Sequence, residues 1–250
     1  FVNNGEILIN KGEFKAKILN SNIKFDFSYD GNHLNIQNSF FRNKHLSSSA
    51  DGQITFDPFF SMNIKSLIKD IKKDIFYKID IEKLLKNKNF IKRLNINHEI
   101  NFVSKKFSRN LINKANSKLS ISYGTLYSKK NFSLDEGSID CKNETNLIDE
   151  NPILIFDCLI KSTNGKKFIK NFSVNKDKLK NDYLNIKVKG NLNLLKKKIF
   201  FLDVQVNNSY QASENDLNFY KNSFENFFLK KGLLDSFNKE NINKFIFEIL

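Results

Sequence analysis

Short segments in which apolar and polar residues alternate recur along almost the whole chain. Across residues 22–29 the apolar positions are Ile23, Phe25, Phe27 and Tyr29, with Lys24, Asp26 and Ser28 between them, the period-2 pattern of a strand with one buried face. The same alternation places Phe14, Ala16 and Ile18 on one side of an earlier strand. Later in the chain it groups Ile96, His98, Ile100 and Phe102, then Leu119, Ile121 and Tyr123, then Leu184, Ile186, Val188 and Leu192, and last Phe200, Leu202, Val204 and Val206. Residues 153–160 are apolar enough to predict a strand buried on both sides or nearly so. Asp30-Gly31 and Asp51-Gly52 each fall between two alternating runs. Both pairs predict tight hairpin turns, because the central positions of the favoured two-residue turn require positive φ.

Two regions leave this period. In residues 61–94, Met62, Ile64 and Leu67 continue a strand, whereas Leu67, Ile68, Ile71 and Ile75 fit a helix face equally well. Asp80 followed by Ile81, Leu84, Leu85, Ile91 and Leu94 predicts a capped helix. Near the end, Ser213 with Asp216 three residues on approximates a capping box, ahead of an apolar stripe of Leu217, Tyr220, Phe224, Phe227 and Phe228. Gly232 is expected to end that helix, and residues 241–250 predict a second one with Ile242, Phe245, Ile246 and Ile249 inward. The expected fold is therefore mainly β with some α, an elongated, twisted antiparallel sheet in one unit. Residues 1–66 form a meander, 67–95 a partly helical insertion, 96–210 antiparallel strands and 211–250 a helical end.

Composition adds three bounds. The 250 residues hold 40% hydrophobic and 13% aromatic residues, 26 of them Phe, which excludes global disorder. Only 9 Gly and 2 Pro are present, so turns fall to Asn and Asp, which tolerate left-handed backbone. The formal net charge of +14 suits an anionic partner. The lysines, however, are spread along the chain rather than gathered in a stripe, and Lys, Asn, Ile and Phe share AT-rich codons. With no RNA-recognition or helix-turn-helix motif, nucleic acid is not an expected partner. The chain starts at Phe1 and reads as a segment of a longer protein; no apolar run reaches the roughly 18 residues of a membrane span, so any anchor is expected outside it.

No residue cluster announces catalysis. His33, His45 and His98 are far apart without carboxylate or Cys at metal-ligand spacing, and phosphate loops and nucleophile elbows are missing. A non-enzymatic protein without cofactor or metal is expected. Cys141 and Cys158 flank a loop near residues 149–152 that is almost central between them. Two readings stay open there: a cross-strand disulfide in an oxidising compartment, or two partly buried thiols.

Several stretches, residues 5–14 (GEILINKGEF), 23–36 (IKFDFSYDGNHLNI), 50–60 (ADGQITFDPFF) and 184–206 (LNIKVKGNLNLLKKKIFFLDVQV), resemble the C-terminal region of the AsmA-like family of bacterial envelope proteins. The resemblance implies a sheet curled into a groove, periplasmic and anchored to the inner membrane, that guides phospholipid or assists outer-membrane assembly, with envelope proteins as further partners. An acyl chain needs only a continuous apolar surface, and the expected lipid-lining positions are Ile23, Phe25, Phe27, Leu34, Ile36, Ile100, Phe102, Ile121, Ile186, Val188, Leu202 and Val204. The alternative expectation is a structural or adhesive β-rich surface domain that binds protein and has no lipid path.

Overall fold

The computed structural model describes residues 10–18, 20–72, 81–104, 112–172, 183–229 and 239–249. Thirteen strands form one open, curled sheet whose spatial order follows the chain from first to last. They are β1 (Asn10–Ile18), β2 (Ser21–Tyr29), β3 (His33–Arg42), β4 (Leu46–Thr55), β5 (Ser61–Ile71), β6 (Asn95–Val103), β7 (Lys114–Ser122), β8 (Thr125–Leu134), β9 (Gly137–Asn146), β10 (Ile153–Ser162), β11 (Leu184–Asn193), β12 (Lys198–Val206) and β13 (Tyr210–Gln211). Every neighbouring pair is antiparallel except β5 with β6, which is parallel. A parallel step needs a crossover, and the short helices α1 (Ile81–Leu85) and α2 (Lys88–Arg93) lie in that connection. The single helix expected from residue 80 is thus two, and its expected cap, Asp80, lies outside the described residues, as do residues 6–9, where the expected meander begins, Ile75 and Gly232. Residues 61–71, which the sequence left open, are strand.

Register carries the alternation from strand to strand, because residues paired across a ladder share a face. One row of partners runs Gly12, Phe27, Ile36, Gly52, Ile64, His98, Leu119, Ser128, Asn143, Phe156, Gly190, Phe201, and so crosses twelve strands without changing side. The apolar positions flanking this row share its face, so the sheet has one mainly apolar inner side, broken by polar residues on β8 and β9.

Where local geometry departs from expectation, hydrogen bonds give the reason. At Asp30-Gly31 only Gly31 has positive φ (96°); the Asp30 carboxylate instead accepts from the N–H groups of Asn32 (3.0 Å) and His33 (2.6 Å), widening the turn. Asp51-Gly52 is not a turn at all, since both residues lie inside β4. Gly52 is there because the neighbouring strand comes very close: a Cβ would collide with the Asn63 carbonyl and lie 2.7 Å from Ile64 Cα. In β3 a bulge leaves Asn38 at φ 49°, and the Ser39 hydroxyl bridges the broken ladder by bonding both the N–H and the carbonyl of Ala50. Strand β10 alternates rather than being buried on both sides, with Ile153 and Ile155 exposed.

Among the described residues, a second layer of helices packs on the C-terminal part of the inner face. There α3 (Gly165–Lys170), α4 (Glu214–Phe224, continuing as a π-turn over Glu225–Leu229) and α5 (Lys239–Ile249) pack on the last strands. Helix α4 starts with a full capping box: Ser213 Oγ accepts from the Asp216 N–H (3.3 Å) while the Asp216 carboxylate accepts from the Ser213 N–H (2.8 Å). One core cluster joins Leu134, Phe168, Ile169, Phe172 and Leu184; another joins Ile199, Phe228 and Leu229. By contrast, no residue of β1–β7 is fully buried.

Gly52→Ala is expected to lower stability by about 1–3 kcal/mol through overpacking against β5, read as a lower urea midpoint at unchanged slope. An unchanged midpoint would show that the two strands do not approach as described.

Candidate functional site

The alternation and the curl together build an apolar groove, and its covered end holds a cavity of about 470 Å³ between β9–β12 and the three C-terminal helices. Leu154, Phe156, Val188 and Phe201 line it from the sheet, and Phe168, Phe224 and Phe245 from the helical side. The size falls within the roughly 300–1,000 Å³ of small-molecule sites. Its polar side chains are few, Asn143 and Tyr220. Aromatic contacts fix the roof: Phe224 stacks edge-on to Phe201 (5.9 Å) and Phe245 (5.6 Å), and Phe168 to Phe172 (5.5 Å).

Eleven of the twelve expected lining residues lie on this inner face. Ile186, Val188 and Val204 line the cavity itself. Ile23, Phe25, Phe27, Leu34, Ile36, Ile100, Phe102 and Ile121 lie on the same face further along the sheet, on β2, β3, β6 and β7, none of them fully buried. Leu202 is the correction. A bulge in β12 pairs Lys189 with Asp203 but Gly190 with Phe201, which leaves Leu202 unpaired. Alternation therefore changes phase in mid-strand, Ile199 and Phe201 turn inward beside Val204 and Val206, and Leu202 faces out at 63% exposure. The expectation that Phe200 shares a face with Val204 fails for the same reason.

Cys141 and Cys158 stand directly opposite each other in the β9–β10 register, their Cα atoms 4.1 Å apart, and are joined by a disulfide. The bond lies on the inner face and forms part of the cavity wall. His98, also inward, has Nε2 at 2.8 Å from Ser66 Oγ, and burial pushes its pKa below the usual His value.

A polar island interrupts the inner face at β8 and β9. Ser128, Asn143 and Thr145 are buried there, 3%, 7% and 2% exposed, and Lys130 pairs in register with Cys141. With its amide oriented to satisfy its neighbours, Asn143 accepts from Ser128 Oγ (3.1 Å) and Lys130 Nζ (3.2 Å) and donates to the Lys142 carbonyl (3.2 Å). Burial lowers the pKa of Lys130. Sequence reading missed this island, although the signal was present: Ser128 and Lys130 occupy the inward phase set by Leu126, Phe132 and Leu134.

Among the described residues no group of three His, Cys, Asp or Glu side chains is placed to hold a metal ion, and no helix is long and apolar enough to cross a membrane. Comparisons with protein-family models, with curated proteins and with solved structures give no match to this chain.

Two outcomes follow from these contacts. Replacing both cysteines, Cys141→Ala with Cys158→Ala, should cost about 3 kcal/mol by the loop-entropy relation, measured by urea denaturation; an unchanged stability would mean the thiols are not bonded in the folded protein. For His98, the unfolded chain takes up a proton first as pH falls through about 6.5, so this contribution is complete above that value and lost towards the depressed folded pKa. The loss of stability between about pH 7.5 and about pH 5.5 should accordingly be smaller in His98→Gln than in the unaltered protein, and an equal loss would contradict the assignment.

Proposed function

We propose that this chain is a non-enzymatic lipid-carrying module in which the apolar face of the curled sheet shelters acyl chains and the outer face meets water. The observation that carries this reading is the inner face itself: register keeps one phase across twelve strands and that side is mainly apolar, interrupted at β8–β9, yet no residue of β1–β7 is fully buried. A sheet that only had to fold would bury such a face under a second layer. Monomeric soluble proteins rarely leave contiguous apolar surface beyond a few hundred Å² uncovered. An acyl chain is a suitable occupant, since it needs no specific contacts and gains roughly 0.8 kcal/mol for each buried methylene.

The resemblance to AsmA-like envelope proteins points the same way, and the proposal adopts what it implies: phospholipid as cargo, a periplasmic position with inner-membrane anchorage, and a part in outer-membrane biogenesis. The Cys141–Cys158 disulfide supports an oxidising compartment. No step in this role calls for a nucleophile, a metal or a cofactor, because the work is transfer between apolar environments.

Mass spectrometry of lipid extracted from gently purified protein tests the proposal. Phospholipid should co-purify with the unaltered chain. Ile100→Asp, which sets a carboxylate on the inner face, should lower its yield roughly tenfold, whereas Leu202→Asp on the outer face should leave it unchanged. Reproducible absence of lipid, or equal loss in both variants, would defeat the lipid reading and favour a protein-binding surface.

A further inference from the structure

We propose that the polar island around Lys130 is a seat for the anionic head of an amphiphile, a carboxylate or a phosphate, whose tail occupies the adjoining apolar cavity. This rests on the lipid reading above and names the ligand class. The placement is specific. Asn143 belongs both to the cavity wall and to the hydrogen-bonded set with Ser128 and Lys130, so the ammonium stands where the apolar wall ends. Cys141, the register partner of Lys130, lines the same cavity.

The donors and acceptors leave room for an anion. An ammonium has three hydrogens, and one of those on Lys130 goes to Asn143. Among the described residues no carboxylate forms an ion pair with Lys130, and burial is what depresses its pKa. A half-buried cation beside an apolar chamber is costly unless a counter-charge joins it. Thr145, next inward along β9 from Asn143, is 2% exposed and its hydroxyl has no hydrogen-bond partner among the described residues, which supplies a further donor beside the island. Ser117, facing Lys130 from β7, adds a hydroxyl on the other flank. A neutral alkane would leave the Lys130 charge uncompensated and the Thr145 hydroxyl unmatched; an anionic head at the end of an alkyl tail matches both halves of the site.

Titration calorimetry on the purified chain with laurate, dodecyl phosphate, 1-dodecanol and inorganic phosphate separates the sources of binding. Laurate and dodecyl phosphate should bind roughly ten- to a hundredfold more tightly than dodecanol, the gain expected of hydrogen bonds to a charged group, and inorganic phosphate should neither bind nor compete. Lys130→Met should erase the preference while dodecanol affinity, which reports an intact cavity, stays the same; Lys130→Gln provides a second variant of the same sense. Lys129→Met, on the opposite face, should keep the preference. Equal affinity for laurate and dodecanol in the unaltered protein overturns the head-group seat alone. So does a preference that survives loss of Lys130, one lost equally at Lys129, or phosphate binding as tightly as dodecyl phosphate. If no alkyl compound binds, the lipid reading fails as well.

Discussion

Cross-strand register is the constraint on which everything else in this molecule depends. Alternation within one strand makes that strand two-faced, but only pairing in phase makes a sheet two-faced, and a slip of one residue would turn a whole strand's apolar set into water. Here the phase is kept through twelve strands, including the parallel step from β5 to β6. The bulges are where it is defended. In β3 the Ser39 hydroxyl holds Ala50 across a broken ladder, and in β12 the bulge at Leu202 returns Ile199 and Phe201 to the inner side.

Among the described residues, packing on that inner face is unequal. At the C-terminal end three helices and their phenylalanines close over the sheet, giving the molecule its buried core, and a cavity remains beneath them. Along β1–β7 the same face stays half-exposed. The molecule therefore combines a folded anchor of ordinary hydrophobic packing with an extended apolar trough. Edge strands in such a sheet invite pairing with other chains. The first edge carries Lys11, Lys15 and Lys17 on β1, and at the other end the Glu225 carboxylate of the π-turn accepts from the Ile199 N–H on β12 (3.0 Å).

Much of this was legible in the sequence, and the misses have definite causes. Period-2 patterning gave the strands, and Ser213 with Asp216 gave the start of α4 down to its reciprocal hydrogen bonds. Leu202 was misplaced because a bulge reverses phase without any mark in composition: the run Ile199, Phe200, Phe201, Leu202 is apolar at every position, so alternation carries no information there. Asp51-Gly52 imitates a turn, yet its glycine answers a close approach from β5 that no local pattern encodes. Residues 61–71 supported two periods, and the parallel partner on β6, thirty-odd residues away, decided between them. The polar island lay in plain view on β8 but becomes a site only when β9 supplies Asn143 and Thr145.

The central claim is that the inner face of this sheet meets acyl chains in the working protein. A photo-crosslinking residue placed at position 27, where Phe27 faces inward on β2, and separately at position 202, where Leu202 faces outward on β12, tests it within intact cells. The account predicts lipid adducts at position 27 and none at position 202. Adducts at both positions, or only protein adducts at position 27, would contradict it.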